Sequence, residues 1–180
     1  MLVKIRPTTS PPRLQRPTRN EPEREAQDMP LTNAELASIL DDGSKRIEGD
    51  ITWCEDEDHS PALEFRAEVS SQLGWPLFIR GSYNRLAGAL TYALILKTEG
   101  RIYALDLGKD HHNPQCIQVG EKHKHRWSEQ FRDKEAYVPD DITAPVSEPV
   151  AVWAQFCEEA KIEHKGSLAP PPPGQEEMLL

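Results

Sequence analysis

The alternation of apolar and polar residues predicts a series of short β-strands through the middle of the chain. These segments are rich in β-branched and aromatic residues and lie at 47–55, 62–70, 75–84, 88–98, 101–108 and 122–127. Residues 98–100, Thr-Glu-Gly, are typical of a tight hairpin turn. Because the strands follow one another with short turns, the pattern predicts a curved antiparallel sheet.

A short helix is predicted before the strands. Thr32 followed by Glu35 matches a capping box, in which each side chain accepts a hydrogen bond from the backbone of the other residue. The helix is expected to run to Asp41 and to end before Gly43. Its buried face is predicted to consist of Leu36, Ile39 and Leu40.

A second helix is predicted after Pro149, in the segment VAVWAQFCEEA, with Ser147 as its candidate N-cap. Apolar residues recur there at helical spacing, which predicts a buried face of Val150, Trp153, Phe156 and Cys157. Consecutive strands with a helix before and after them, both packed on one side of the sheet, predict the α+β fold class.

The folded part is expected to be a single domain at residues 30–166, which is long enough for one hydrophobic core. Residues 1–29 are rich in Pro, Arg, Thr and Glu and nearly lack large apolar side chains, so a disordered tail is expected. Residues 167–180 are expected to form a second, proline-rich tail that favours polyproline II geometry. Either tail could contact a partner, although a spacer is the simpler interpretation.

The net charge of −9 argues against a general binder of polyanions, because such affinity comes from clustered Lys and Arg. The cysteines Cys54, Cys116 and Cys157 lack CxxC spacing and favour reduced thiols in a cytoplasm over a disulfide framework. No segment is apolar enough to span a bilayer, and no secretory signal is recognisable. The sequence therefore predicts a cytoplasmic protein that does not enter a membrane.

Histidines are concentrated in one stretch, KDHHNPQCIQVGEKHKHRW at residues 109–127, which holds four of the six in the chain. Three interpretations compete: a metal site, an acid–base pair that acts on a phosphodiester, and a polar turn. Asp106 and Asp110 flank the loop and are candidates for orienting a histidine tautomer.

The geometry of an extended strand pairs the last two histidines. His123 and His125 would share one face of the strand, whereas Lys124 and Arg126 would lie on the other. The loop before the strand begins near His111, so it could bring a third imidazole opposite the pair. Two adjacent imidazoles can chelate a metal, and they can equally act as general base and general acid near neutral pH.

The metal site is the less favoured of the two chemical interpretations. His111, Cys116, His123 and His125 would supply enough ligands, but HHNPQC followed by HKH matches no strong zinc spacing. Lysines beside the histidines raise the local positive potential, which disfavours a cation and favours a phosphate. The sequence therefore predicts a site without a metal or another cofactor.

Metal-free RNA cleavage needs a base, an acid and a cation that stabilises charge on phosphorus. The candidate catalytic residues are His111, His123 and His125. The candidates for binding the RNA are Arg80, Arg85, Lys124, Arg126 and Tyr137. Since Lys124 and Arg126 face away from the histidine pair in a regular strand, the cation must come from elsewhere or the strand must bulge.

Several short motifs occur in a fixed order within residues 90–165: Asp106-Leu107, HHNP at 111–114, HKH at 123–125 and A-Y-x-P at 136–139. This set resembles a family of small bacterial proteins and, more distantly, TumE-type proteins, which are the toxins of toxin–antitoxin pairs. The resemblance implies a short sheet-based domain with a ribonuclease-type activity. It points to the same three histidines, and it adds Asn113 to the candidate substrate-binding residues.

We therefore expect an intracellular, toxin-like endoribonuclease that uses a histidine acid–base pair without a metal and acts on RNA. Three departures from the toxin motifs leave a second interpretation open: Cys116 in the loop, Arg126-Trp127 after HKH, and the long tails. In that interpretation the chain is a noncatalytic interaction module, such as an accessory subunit, an inhibitor or an antitoxin-like partner in a bacterial defence or mobile-element complex. A zinc-stabilised binding domain is the third interpretation.

Overall fold

The computed structural model describes residues 30–173, and the predictions about residues 1–29 and 174–180 lie outside that part of the chain. Within it, the elements follow in the order α1 (Asn33–Asp41), β1 (Lys45–Glu48), β2 (Cys54–Glu55), β3 (Leu63–Val69), β4 (Leu77–Asn84), β5 (Ala89–Leu96), β6 (Gly100–Leu107), β7 (Lys122–Arg126), β8 (Ala136–Tyr137), α2 (Pro149–Glu159) and β9 (Ile162–Lys165). No helix in this part of the chain is long and apolar enough to cross a membrane.

Seven strands form one antiparallel sheet in the order β2-β3-β4-β5-β6-β7-β8, so each strand pairs with its neighbours in the chain. Such an arrangement needs only short turns. The predicted turn at residues 98–100 joins β5 to β6, with Gly100 at φ 88°. The sheet is open, with the two-residue strands β2 and β8 at its edges. The predicted α+β class with an antiparallel sheet is confirmed.

A second, two-stranded sheet joins the beginning of the domain to its end. β1 and β9 pair in parallel, with Lys45 opposite Ile162. The sequence predicts one strand at 47–55, but Gly49 turns the chain at φ 83° and divides that segment into β1 and β2. The hydrophobic pattern does not predict β9, because four residues are too few to establish a period.

The fold continues past residue 166, where the predicted proline-rich tail begins. Leu168 is buried, and Ala169 donates its N–H to the carbonyl of Ile51 at 2.8 Å. The Trp53 indole donates to the carbonyl of Ala169 at 3.0 Å. The first residues of that segment are therefore part of the domain.

Helix α1 begins with the predicted capping box. The Thr32 hydroxyl accepts the N–H of Glu35 at 3.2 Å, and the Glu35 carboxylate accepts the N–H of Thr32 at 2.9 Å. At the other end, the buried Lys45 ammonium donates to three carbonyls at the end of the helix. Carbonyls at a helix end have no partner within the helix, so this lysine replaces a C-cap. Burial lowers the pKa of Lys45 to about 8.

Helix α2 begins at Pro149, and its N-cap is Glu148 rather than the predicted Ser147. Glu148 makes no capping hydrogen bond through its side chain. Proline suits the first helical position, because the N–H that it lacks would have no partner there. The start of this helix is therefore set by Pro149 and not by a polar cap.

One face of the large sheet packs against α2. Trp153 and Phe156 are buried as predicted, whereas Val150 is exposed because it lies at the margin of the buried arc. The ring of Tyr92 on β5 contacts that of Trp153 edge to face, with centroids 5.1 Å apart. Its hydroxyl donates to the carbonyl of Pro149 at 2.8 Å, which ties β5 to the start of α2.

The opposite face of the large sheet, called the outer face below, carries a polar row. Strand register places Thr91 of β5, Asp106 of β6 and His123 of β7 side by side. The adjacent row consists of Ala93, Ala104 and His125. Side chains that are directly opposite one another on paired strands share a face and interact, so this register brings the polar groups of three strands together.

Candidate functional site

The three predicted catalytic histidines meet on the outer face. The centroid of the His111 ring lies 5.0 Å from that of His123 and 4.6 Å from that of His125. The His123 and His125 centroids are 4.8 Å apart. One nitrogen from each ring lies within 4.8 Å of the others. We call these three residues, together with Asp106, the histidine centre.

The loop between β6 and β7 folds back to place His111 over the two strand histidines. Inside the loop, the N–H of Val119 donates to the His111 carbonyl at 2.9 Å. The Asn113 side chain then bonds both backbone groups of Ala136 on β8, donating at 3.0 Å and accepting at 2.8 Å. The predicted substrate-binding Asn113 is therefore engaged with the sheet edge, and it holds the loop that carries His111.

Each imidazole uses one ring nitrogen to bond a backbone carbonyl. Nδ1 of His123 bonds the Gly120 carbonyl at 2.8 Å, and Nδ1 of His125 bonds the Asp133 carbonyl at 2.9 Å. Nε2 of His111 bonds the carbonyl of Lys134 at 3.0 Å. A carbonyl only accepts, so the nitrogen that faces it carries the proton. In a neutral imidazole, the other nitrogen is then an acceptor.

The acceptor nitrogens face one another and a carboxylate. Nε2 of His123 lies 3.1 Å from Nε2 of His125. Oδ2 of Asp106 lies 3.2 Å from Nε2 of His125 and 3.8 Å from Nε2 of His123. Oδ1 of Asp106 accepts a hydrogen bond from the Thr91 hydroxyl, to which Lys109 Nζ donates at 2.7 Å. The centre therefore consists of several inward-facing acceptors.

The electrostatics favour an ionised aspartate and a neutral histidine. Burial alone would raise the pKa of Asp106, but its contacts with His125 and Thr91 outweigh burial and hold that pKa well below its usual value. Burial lowers the pKa of His123, despite its hydrogen bond to Gly120 and the nearby Asp106 carboxylate.

The histidine centre is closed to solvent. His123 is 2% exposed and His125 is 4% exposed. Asp106 is also buried, and the half-buried His111 ring stacks on that of His123. Cys116, considered as a ligand from the sequence, is exposed and is not among the clustered residues.

The predicted phosphate-binding cations lie elsewhere. Lys124 projects from the opposite face of β7, where it is fully buried and pairs with Asp141 and, at 3.0 Å, with Glu159. Arg80 pairs with Glu64 at 2.6 Å on the outer face. Lys124 therefore does not raise the potential at the histidines, which removes part of the reason for expecting a phosphate there.

Arg85 donates to the carbonyl of Pro172 at 3.2 Å, near the end of the described chain. It joins neither the histidine centre nor the groove described next.

Three other predicted residues meet in a groove at the free edge of the sheet. A cavity of about 400 Å³ lies on the helix side of β7 and β8, and its lining includes Asn113, Arg126 and Tyr137. We call it the edge groove. It is lined by one cation and one carboxylate among polar and apolar residues: Asn33, Leu36, Asn113, Arg126, Trp127, Ser128, Glu135, Ala136 and Tyr137. Since Arg126 and the histidine pair project from opposite faces of β7, this groove is a separate site.

Thr91 and Lys109 are neighbours of the histidine centre that the sequence does not predict. Their proximity depends on the register between β5 and β6, in which Thr91 lies opposite Asp106. The alternation of residues assigns Thr91 to the polar face of its strand, but it does not assign its partner on the next strand.

Comparison with known proteins identifies a family for this chain, but its function is unknown. A family model described as a family of unknown function, DUF6978, matches residues 31–162, which include the whole histidine centre. No curated protein and no solved structure matches the chain. The resemblance to TumE-type toxins thus stays an expectation from short motifs. Because the family model covers most of its length, the chain belongs to DUF6978, a family of unknown function.

Proposed function

We propose that this chain is a noncatalytic interaction module, which binds a protein partner in the edge groove. The observation that carries the proposal is the Arg126 guanidinium. Within residues 30–173 it makes no ion pair or hydrogen bond, whereas Arg80 and Arg101 each pair with a carboxylate. Asp41 acts on Arg126 only at longer range and is itself paired with Lys161 at 2.9 Å.

The surroundings of Arg126 fit an acidic and partly apolar segment of a partner. Tyr137 is 41% exposed at the groove, and Leu36 and Trp127 contribute apolar surface to its lining. Arginine and aromatic residues are enriched at protein interfaces, and arginine binds carboxylates in a bidentate manner.

The closed histidine centre also favours a binding module over an enzyme. A phosphodiester would have to reach two nearly fully buried rings, His123 and His125. The ionised Asp106 carboxylate beside them would repel its negative charge. We propose the cytoplasm as the location, since Cys54, Cys116 and Cys157 form no disulfide.

A metal-independent endoribonuclease of the toxin type is the second candidate function. It is favoured by one observation, the 3.1 Å separation of the His123 and His125 Nε2 atoms, which would place a general acid beside a general base. RNA would then be the substrate, and the loop that carries His111 would have to open.

The interaction module is tested by purifying the tagged full chain from its native cells and identifying what co-purifies. We expect a specific partner that is lost from R126A and Y137A. The matched control is R66A, which changes an exposed arginine on the outer face that pairs with Glu68. Recovery of the same partner with all three variants would contradict the proposal.

The ribonuclease is tested by incubating the purified chain with RNA and by measuring growth on expression. If the chain is this toxin, the wild type cleaves RNA and arrests growth, and the H123A/H125A variant does neither while remaining folded. A wild type that is inert on RNA removes this candidate. A wild type that cleaves RNA and binds no partner removes the interaction module instead.

A further inference from the structure

The histidine centre contains a surplus of acceptors. When both rings are neutral and donate their Nδ1 protons to backbone carbonyls, both Nε2 atoms present lone pairs to each other at 3.1 Å. Oδ2 of Asp106 adds a third acceptor at 3.2 Å from one of them. Acceptors that face one another in a buried space repel unless a cation lies among them.

The nearest protein cations do not occupy that space. Arg101 approaches Asp106 Oδ2 at 3.5 Å, but its Nε is paired with Asp133 at 2.9 Å. Lys109 lies on the other side of the carboxylate, 3.6 Å from Oδ1. Both side chains contact the Asp106 carboxylate, and neither makes a hydrogen bond to the histidine pair within the described part of the chain.

The spacing of the two strand histidines is close to that of ligands around a tetrahedral metal ion. A zinc ion bound to nitrogen at about 2.0–2.1 Å places its ligand atoms roughly 3.3–3.4 Å apart. The distance between the His123 and His125 Nε2 atoms is 3.1 Å, and the distances from these atoms to Asp106 Oδ2 are 3.8 and 3.2 Å. His111 adds a nitrogen within 4.8 Å of the other two rings.

The hydrogen bonds around the centre have the form found at metal sites. A histidine that binds a metal usually donates its other ring N–H to a carbonyl or carboxylate, which fixes the tautomer and the ring orientation. All three rings do so here, to the carbonyls of Gly120, Asp133 and Lys134. Three separate backbone segments would thus orient the ligands.

We propose that His111, His123 and His125 bind one divalent transition metal ion of the zinc class, with the Asp106 carboxylate beside them. Imidazole and carboxylate ligands suit this class, and a set rich in imidazole disfavours magnesium and calcium. His123, His125 and Asp106 are buried, which favours a structural ion over a catalytic one that is open to substrate. The ion would join the His111 loop to β6 and β7. A site with a metal ion thus takes the place of the metal-free site that the sequence predicts.

Metal binding is tested on the purified full chain after removal of metals with a chelator. We expect zinc to bind at one ion per chain, and cobalt(II) to give the intense visible absorption of tetrahedral coordination. H111A should weaken zinc binding at least ~100-fold, and D106N, which neutralises the carboxylate beside His125, should weaken it about 10- to 100-fold. H112A, an exposed neighbour, is the matched control and should bind as the wild type does.

Thermal unfolding separates lost binding from lost folding. Zinc should raise the melting temperature of the wild type and of H112A but not of folded H111A, because a ligand stabilises only the state that binds it. A folded wild-type chain without saturable zinc or cobalt binding would overturn the proposal, as would wild-type zinc affinity in both H111A and H123A. The result is independent of the interaction module, since R126A should bind zinc normally.

Discussion

The Nε2 atoms of His123 and His125 lie 3.1 Å apart although each ring already bonds a backbone carbonyl through Nδ1. An acid–base pair would need one of these nitrogens to be protonated and reachable by substrate. The two rings are instead buried beside an ionised carboxylate and under the His111 ring. The arrangement is better suited to holding a cation than to transferring protons to RNA.

The stability of the metal-free chain is expected to fall as the pH drops below about 6.5. Burial lowers the pKa of His123 from its ordinary value of 6.5, so the unfolded chain takes up a proton at a pH where the folded chain does not. The stabilisation from this group is present above the unfolded pKa and is lost toward acid. Urea unfolding between pH 8 and pH 5, in roughly half-unit steps, measures it.

The variant H123N should reduce that acid dependence, since it removes the titrating group. H112N changes an exposed histidine and should keep the wild-type slope. Equal slopes in all three proteins would show that His123 does not contribute.

Loss of the Lys124 cation is expected to destabilise the fold by about 3 kcal/mol. Lys124 is fully buried between Asp141 and Glu159, so K124M leaves two carboxylates without their cation. Because both carboxylates are partly exposed, we expect the lower end of the cost of breaking a buried pair. Urea unfolding measures it, with the exposed Lys165 as the matched site for a K165M control. A K124M variant as stable as K165M would mean that water replaces the lysine without cost.

Gly81 is expected to tolerate no side chain. A Cβ atom at this position would lie 2.2 Å from Cε1 of Phe65, in the packed core between β3 and β4. G81A should therefore cost on the order of 1–3 kcal/mol, the usual cost of overpacking. G43A is the control, because a Cβ there meets no atom within 4 Å. Unfolding free energies that are the same in the two variants would mean that Phe65 moves freely.

Asn113 is expected to position the loop that carries His111. N113A removes two hydrogen bonds to the backbone of Ala136, which should cost about 1–3 kcal/mol in stability. It should also weaken zinc binding, but by less than H111A does, because the ligand itself is still present. Q118A changes a side chain of the same loop that bonds only Asp110, and it should leave zinc affinity unchanged. Zinc affinity in N113A equal to that of the wild type would show that the loop holds its position without Asn113.

Much of the fold could be predicted from the sequence because it depends on local chemistry. The capping box of Thr32 and Glu35 lies within four residues, and the alternation along β3 to β7 assigns each side chain to a face. It therefore places His123 and His125 together and Lys124 apart from them. The sequence predicts Ser147 as the N-cap of α2, because serine often caps helices. The N-cap is Glu148 instead, because Pro149 takes the first helical position.

The chemistry of the site depends on register and on loop closure, which the sequence does not reveal. Asp106 meets His123 because β6 and β7 pair in one particular register, and a shift of one residue would place it on the other face. The position of His111 depends on a bond between Asn113 and Ala136, which are 23 residues apart. The lysines of KHKHR predict that a phosphate binds near the histidines. In the structure, however, Lys124 pairs with Asp141 and Glu159, which come from distant segments of the chain.

Cobalt(II) titration of the metal-free, full-length chain tests the nature of the histidine centre most directly. We expect saturation at one ion per chain with a tetrahedral absorption spectrum, which is retained in H112A and abolished in H111A. Absence of this spectrum from the folded wild type, or its persistence unchanged in H111A, would contradict it.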